Sequence, residues 1–329
     1  MIKIDLITGF LGSGKTTFIK RYARHLMDQG KRIAVLENDY GAINVDMLLL
    51  KELEGPQCDL EMVVGGNDYD CHKRRLKSKL IALGMLGYDR VLIEPSGVFD
   101  VDEFFDLLHE EPLNRWYEIG SVLCIIEAEL PEVLTAEARY LIVSQSANAG
   151  KLVFSKTRGI PTETVELTLN RIQEAFAEFH CERRFRPVRD VITREWDAFD
   201  ESDWKKIEEA SYTLYDHVKL LQSDEYGFRS LFYMEMDDTP KMLEEKIGRL
   251  MKDKAAGQIF RIKGFARDEE ERWFELNAAG DKIDVQPIPE GQRVIIVIGE
   301  NLNQEAVNAY WDYRIGTGKT NYREGGEKE

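Results

Sequence analysis

Short apolar runs alternate with amphipathic stretches over roughly the first 190 residues of the chain. The runs typical of buried strands cover residues 2–8, 31–37, 60–64, 89–94, 119–127, 151–155 and 183–188. Apolar positions at helical spacing lie between them, at residues 16–29, 73–86, 101–109, 132–148 and 163–179. Strands that alternate with helices predict an α/β fold with a doubly wound, mostly parallel sheet.

The pattern changes in the second half, where predicted strands follow one another. Charged residues with aromatic residues at helical intervals predict a connecting helix over residues 194–223. Strands are predicted at 228–236, 257–265, 272–276, near 283 and at 293–299, with helices at 240–252 and 304–312. The expected domains are therefore 1–193, the connecting helix 194–223, a smaller α+β domain with a mainly antiparallel sheet over 224–313, and a polar, disordered tail over 314–329.

A glycine-rich loop joins the first strand to the first helix. Residues 9–16 read GFLGSGKT and match the phosphate-loop pattern G-x-x-x-x-G-K-[ST] in the required order of strand, loop and helix. Backbone N–H groups and the start of the helix would surround phosphates, the lysine would reach the β and γ phosphates, and the threonine hydroxyl would bind Mg²⁺. The predicted nucleotide-binding residues here are Gly9, Gly12, Ser13, Gly14, Lys15, Thr16 and Thr17.

Acidic residues end two of the other predicted strands. Glu37 and Asp39 follow the second strand, where they suit Mg²⁺ or an attacking water, although a polar loop explains them equally well. Glu94 ends an apolar strand and is predicted to orient Mg²⁺ and its waters, and Gly97 is placed to donate its N–H to a γ-phosphate.

A polar cluster lies between the third strand and its helix. Asp68, Asp70, Cys71 and His72 are all of metal-ligand type, but their spacing matches no standard zinc signature. A turn with helix-capping aspartates is the simpler explanation, so both interpretations stay open at this point.

Composition narrows the functional classes. The 329 residues include 44 basic and 60 acidic side chains, a net charge of −16, which argues against nucleic-acid and anionic-membrane partners. No apolar run reaches the ~20 residues of a membrane span. We expect no signal peptide, because Met1 leads directly into the first predicted strand, and the four cysteines lack disulfide-type spacing. We therefore expect a cytoplasmic protein.

Taken together, the motifs resemble the CobW family of P-loop GTPases, relatives of the GTPases that insert nickel into urease and hydrogenase. The segments that carry the resemblance are 8–17 (TGFLGSGKTT), 37–46 (ENDYGAINVD), 93–97 (IEPSG), 155–157 (SKT), 260–265 (FRIKGF) and 297–311 (VIGENLNQEAVNAYW). The resemblance implies GTP as ligand, Mg²⁺ at Thr16 with Glu94 in its outer shell, and Glu37 and Asp39 as sensors of the γ-phosphate, the metal or both. It also implies a C-terminal domain that recognises a client, and delivery of a metal ion, often zinc or cobalt, or assistance to a cofactor-dependent enzyme.

The sequence departs from the family pattern in three places. One cysteine, Cys71, stands where the family usually has Cys-x-Cys-Cys, which leaves a site of mixed oxygen, nitrogen and sulfur ligands as the remaining hypothesis. Ala42 stands where some members carry an acid. The family's guanine-recognition pattern [NS]-K-x-D ends here in Arg158, which cannot accept the guanine N–H groups, although Lys156 can still cover the base.

These observations predict a Mg²⁺-dependent GTPase with Lys15, Glu37, Asp39 and Glu94 as its catalytic residues. Turnover should be slow because the motifs contain no arginine finger. The protein would act as a metallochaperone or as an activator of a metalloenzyme or cofactor-dependent enzyme, bound through the C-terminal domain. The alternatives are a nucleotide-gated client chaperone without metal cargo and a P-loop small-molecule kinase. A homodimer is compatible with the sequence, but no residue points to one.

Overall fold

The apolar runs of the first half form one sheet in a computed structural model of the chain. The structure describes residues 1–10, 12–39, 46–64, 69–95, 101–132, 134–218, 228–234, 236–280, 282–289 and 291–311, with the backbone alone at residues 39, 46, 48, 64, 69–72, 102–103 and 228–230. The predicted tail over 314–329 lies outside these ranges. The chain divides into two units, Met1–Tyr226 and Gly227–Glu329.

Seven strands build the sheet of the first unit. They are β1 (Ile2–Thr8), β2 (Ile33–Asp39), β3 (Cys58–Val64), β4 (Arg90–Pro95), β5 (Tyr117–Glu127), β6 (Lys151–Ser155) and β7 (Val191–Ile192). Their spatial order is β3-β2-β4-β1-β5-β6-β7, and every neighbouring pair is parallel. The predicted parallel α/β fold is therefore confirmed.

Helices cover both faces of this sheet. They are α1 (Lys15–Asp28), α2 (Asp46–Leu50), α3 (Tyr69–Gly84), α4 (Val101–His109), α5 (Leu113–Trp116), α6 (Ala136–Ser146), α7 (Thr162–Glu178), α8 (Pro187–Asp190) and α9 (Glu201–Glu208). Successive strand residues point to opposite faces, so in β4 Val91 and Ile93 enter one hydrophobic core and Leu92 enters the other. Helices α3, α4, α6 and α7 close the first core, and α1 with α9 closes the second.

The last strand of this sheet was predicted at the wrong place. Residues 183–188 form no strand; Pro187 begins the short helix α8, and the strand is the two-residue β7 that follows it. Proline has no N–H to donate to a sheet ladder. The buried Phe185 contributes to the core by packing on Phe176 at 5.8 Å between ring centroids.

The predicted connecting helix over 194–223 is also wrong. Among residues 194–218, the part of this range that the structure describes, the α-helix is confined to α9. It begins after Asp200, whose side chain accepts from the backbone N–H of Ser202 and Asp203. Residues 209–218 contain no helix. The aromatic residues that suggested a long helix pack instead on α1: Trp204 stacks on His25 at 4.8 Å and lies parallel to Tyr22 at 6.0 Å.

A polar network joins α9 to the end of α1. One carboxylate oxygen of Glu208 lies 2.6 Å from Nζ of Lys31, and the other lies 2.9 Å from Nε2 of Gln29 and 3.0 Å from Nε2 of His25. Burial alone would raise the pKa of Glu208, but these hydrogen bonds outweigh it and lower the pKa to about 2. Helix α9 is thereby fixed to the helix that follows the phosphate loop.

The second unit is built on an antiparallel sheet of β8 (Phe228–Met234), β9 (Gln258–Arg267), β10 (Trp273–Ala279), β11 (Lys282–Ile288) and β12 (Val294–Glu300), in the order β11-β10-β9-β12-β8. Helices α10 (Pro240–Leu250) and α11 (Gln304–Asn308) complete it. Leu243, Ile247 and Leu250 of α10 pack into a core with the sheet. The predicted antiparallel α+β fold of this part is confirmed.

Candidate nucleotide-binding site

The phosphate loop leaves the carboxyl end of β1 in a conformation that requires glycine. Gly9 has φ +139°, and a Cβ atom there would lie 2.2 Å from the carbonyl oxygen of Ile125 in β5. Gly14 has φ +96° and precedes α1, so no side chain caps this helix, and its first turn contains no acidic residue. The start of a 14-residue helix therefore faces the loop with its partial positive charge.

Three of the residues named from the sequence, Lys15, Thr16 and Glu94, lie together at this loop. The Thr16 hydroxyl donates to Oε1 of Glu94 at 3.0 Å, and Nζ of Lys15 lies 4.0 Å from the same oxygen. Lys15 is 7% exposed and Glu94 8%. Residues 78 positions apart are thus joined around one carboxylate at the carboxyl edge of the sheet.

Glu37 lies next to this group. It is the register partner of Glu94 in the adjacent parallel strand and is 2% exposed. Two buried carboxylates and a threonine hydroxyl form an all-oxygen donor set, which suits Mg²⁺. Ser13 of the phosphate loop and Asn38 beside Glu37 are buried, and their side-chain polar atoms have no hydrogen-bond partner among the residues that the structure describes. These features fit a site for a phosphate group and a hard cation.

The remaining predicted site residues differ in how much of them the structure describes. Gly12 has φ +82° and Thr17 is exposed. Gly97 and Asp68 lie outside the described residues. For Asp39 the backbone alone is described, at the end of β2. Helix α3 begins at Tyr69 rather than at the predicted residue 73, which places Asp70, Cys71 and His72 in its first turn; their side chains lie outside the described part.

Lys156, predicted to cover the base, lies just after β6 with φ +54°. Its ammonium group pairs with Glu127 at the end of β5, and its side chain is 53% exposed. The neighbouring Arg158 is 79% exposed, with its Nε 3.3 Å from Oε2 of Glu195.

Trp196 is a neighbour of the site that the sequence pattern did not indicate. Its indole N–H donates to the carbonyl oxygen of Phe154 at 2.9 Å, and its ring lies 3.3 Å from where a Cβ of Gly14 would be. It also meets Phe18 of α1 edge-on at 5.3 Å. Trp196 follows β7 by four residues. A correct prediction of β7 would have placed it near the site, because the loops after parallel strands meet at the edge of the sheet where ligands bind.

Cys124 lies beneath the loop in β5. Burial raises the pKa of its thiol to about 12, although a hydrogen bond with the Thr8 side chain and the charge of Lys15 oppose this rise. A buried thiol with a raised pKa is typical of an inert core cysteine.

Two kinds of structure are absent from the described residues. None of their helices combines the length and apolarity needed to cross a membrane. Within the same part of the chain, no group of three or more His, Cys, Asp and Glu side chains is arranged to hold a metal ion.

Comparison with known proteins follows the same division of the chain. Residues 3–182 match the family model "CobW/HypB/UreG, nucleotide-binding domain", and residues 236–313 match "Cobalamin synthesis protein cobW C-terminal domain". The chain belongs to the CobW/HypB/UreG family. The resemblance seen in the sequence motifs is thereby confirmed.

Individual members of this family differ in how much of the chain they match. Zinc chaperone YeiR of Escherichia coli is 34% identical over 131 residues, 40% of this chain and 39% of that protein. Zinc-regulated GTPase metalloprotein activator 1 of Schizosaccharomyces pombe is 19% identical over 348 aligned positions, 92% of this chain and 83% of that protein. The first curated relatives are thus matched over about two fifths of their own length. The crystal structure of Zn(II)-bound YjiA GTPase from E. coli is 17% identical, with a TM-score of 0.39, over 94% of this chain and 98% of that one.

Proposed function

We propose that this chain is a Mg²⁺-dependent GTP-binding protein that hydrolyses GTP slowly and acts on metal delivery or metalloenzyme activation in the cytoplasm. The observation that carries the proposal is the placement of Lys15 and Thr16 around the carboxylate of Glu94, next to a loop whose glycines Gly9, Gly12 and Gly14 all have positive φ. Relatives named as GTPases and zinc chaperones support it.

Each residue has a defined role in this proposal. Lys15 and the loop amides, with Gly9, Gly12, Ser13, Gly14, Thr17 and Gly97, would hold the phosphates. Thr16 would bind Mg²⁺ and Glu94 would orient its waters, and bound Mg²⁺ would neutralise charge on the phosphate oxygens. Glu37 or Asp39 would orient the attacking water, and Lys156 would cover the base. Turnover would be slow because no motif supplies an arginine finger.

The test is phosphate release from GTP and from ATP in parallel, with Mg²⁺. We expect release from GTP that Lys15→Ala abolishes. Lys20→Ala, which removes a half-buried lysine of the same helix α1, paired with Glu52, should leave it unchanged. Equal release from ATP would contradict the guanine assignment, and release that persists in Lys15→Ala would contradict the assignment of the site.

The proposed cargo is a zinc or cobalt ion, delivered to a client metalloenzyme or cofactor-dependent enzyme through the C-terminal unit. Zinc is favoured because YeiR and YjiA are named zinc chaperones. The candidate ligands are Asp68, Asp70, Cys71 and His72. Equilibrium dialysis should show one zinc ion per chain that is lost in Cys71→Ala/His72→Ala and retained in Cys58→Ala, which alters a buried core thiol.

A second candidate is a nucleotide-gated client chaperone without metal cargo. It is favoured by the single cysteine in residues 67–72, because one thiolate cannot form the tight sulfur-rich site expected of a zinc carrier. Zinc binding that is absent, or unaffected by Cys71→Ala/His72→Ala, would support this candidate over a carrier that uses these ligands.

A further inference from the structure

Recognition of guanine by a carboxylate needs an acidic residue, and the loop that follows β6, residues 156–161 (the β6 loop), contains none. Guanine presents two donors on one edge, N1–H and the 2-amino group, and a carboxylate accepts both. Arg158 occupies the position where the family pattern has an aspartate, and a guanidinium group has five donors and no acceptor. The β6 loop by itself therefore lacks the group that separates guanine from adenine.

The neighbouring loop brings a carboxylate to the same place. Strands β6 and β7 are parallel, with Val153 opposite Ile192, so the loops that follow them leave the same edge of the sheet. Glu195 lies three residues after Ile192, and its Oε2 is 3.3 Å from Nε of Arg158. The arginine that replaces the expected acid thus contacts an acid from the next loop.

Trp196 fixes this carboxylate beside the phosphate loop. Its indole N–H is bonded to the Phe154 carbonyl oxygen in β6, and its ring covers Gly14. Glu195 immediately precedes Trp196 and starts the 3-10 turn 196–198 in extended conformation, with φ −58° and ψ 134°. Its backbone is therefore held between the start of α1 and the β6 loop, where the base of a bound nucleotide would lie.

Glu195 is a better candidate than Asp197, the other acid near Arg158. Asp197 lies 4.0 Å from Arg158 and accepts from Nη1 of Arg21 at 2.5 Å, and its side chain is 62% exposed. The Glu195 side chain is 40% exposed. A carboxylate has about four acceptor positions, so one bond from Arg158 leaves enough for the two guanine donors.

We propose that Glu195 is the guanine-recognising carboxylate of this chain, and that Arg158 positions it. The specificity group has moved from the β6 loop to the β7 loop, with an arginine in its former place. This inference rests on the proposed GTP-binding function and assigns the base selectivity of that same site.

The test measures binding of four nucleoside diphosphates by calorimetry, with Mg²⁺, to the full chain. GDP offers N1–H and the 2-amino group, IDP lacks the amino group, XDP carries a carbonyl oxygen at that position, and ADP has no N1–H. The wild type should bind GDP most tightly and ADP least. Glu195→Gln presents one acceptor and one donor, which match N1–H and the 2-carbonyl of xanthine. The Glu195→Gln substitution should weaken the binding of GDP by about 10- to 100-fold and raise the preference for XDP over GDP.

Matched variants separate recognition from folding. Asp197→Asn makes the same chemical change two residues away and should leave the GDP:XDP ratio unchanged. Glu195→Ala should lose discrimination between GDP and IDP. Arg158→Asp combined with Glu195→Ala returns the carboxylate to the β6 loop and should restore it. A rescue of this kind is not expected of a purely structural ion pair.

Each outcome supports or overturns the inference. A GDP:XDP ratio unchanged in Glu195→Gln, or ADP bound by the wild type as tightly as GDP, would overturn it while leaving nucleotide binding intact. A wild type that binds none of the four would overturn the proposed function and this inference together. A switch towards XDP in Asp197→Asn but not in Glu195→Gln would overturn the inference and assign guanine recognition to Asp197.

Discussion

Replacing Glu208 by glutamine should destabilise the first unit in a pH-dependent way. A pKa lowered from 4.5 to about 2 corresponds to about 3 kcal/mol in favour of the ionised carboxylate. The Lys31 side chain is 30% exposed, so solvent screening should reduce the effect to about 1–2 kcal/mol at pH 7. For a unit of this size, the unfolding temperature should fall by roughly 2–8 °C.

The sign of the pH dependence follows from the lowered pKa. The ionised form is favoured in the folded chain, so the stabilisation is complete above the unfolded value of 4.5 and is lost as the pH falls towards 2. The difference between wild type and Glu208→Gln should therefore be largest near neutral pH and shrink in acid.

Differential scanning calorimetry from neutral to acidic pH measures this difference, with the transition of the first unit fitted separately because two units need not unfold together. Glu209→Gln is the matched control, since that side chain is 66% exposed and lies 3.9 Å from Lys205. Equal unfolding temperatures of Glu208→Gln and wild type at pH 7, or a difference that grows in acid, would refute the reasoning.

Three further predictions concern the candidate site. Gly9→Ala places a methyl group 2.2 Å from the Ile125 carbonyl oxygen at φ +139°, and should lower the free energy of unfolding by about 2–4 kcal/mol; an unchanged urea midpoint would contradict this. Thr16→Ala removes the hydroxyl bonded to Glu94, and should reduce the gain in GTP affinity on adding Mg²⁺ by about 10-fold, measured against EDTA; an undiminished gain would contradict the proposed metal site. Cys124 should resist a thiol reagent at about pH 8 in the native protein and react on unfolding, because burial raises its pKa to about 12; mass spectrometry of labelled native protein checks this.

The parts of the fold that sequence analysis predicted correctly are those whose pattern repeats. Strands such as β4 carry an unbroken apolar run buried on both faces, and α1 buries Phe18, Ile19 and Tyr22 at helical spacing. The phosphate-loop pattern likewise placed Lys15 and Thr16, and the acid at the end of β4 completed the group around Glu94. Local pattern and long-range packing agree in these segments.

The two wrong elements lack such a pattern. A strand of two residues, Val191–Ile192, is too short to show a periodic pattern. The apolar Phe185 suggested a strand at 183–188, but its ring packs on Phe176. The aromatic residues after residue 195 have helical spacing, but Trp196 packs near the phosphate loop from a 3-10 turn. The local signal that was available is Asp200, which forms a capping box with Asp203 and marks the true start of α9.

The segment after α9 has a consequence for the modularity of the protein. The backbone carbonyl oxygen of Ser211 accepts from the N–H of Val122 in β5, and the Thr213 N–H donates to the carbonyl oxygen of Asn148. Gly150 has no room for a side chain, because a Cβ there would lie 2.1 Å from the Ala210 carbonyl oxygen. A fragment that ends at residue 193 would therefore leave the N–H of Val122 in β5 without its backbone partner. It would also expose the face of α1 on which Trp204 packs. We therefore expect a fragment that folds on its own to extend past residue 213, so that moving the first unit into another protein would require this segment as well.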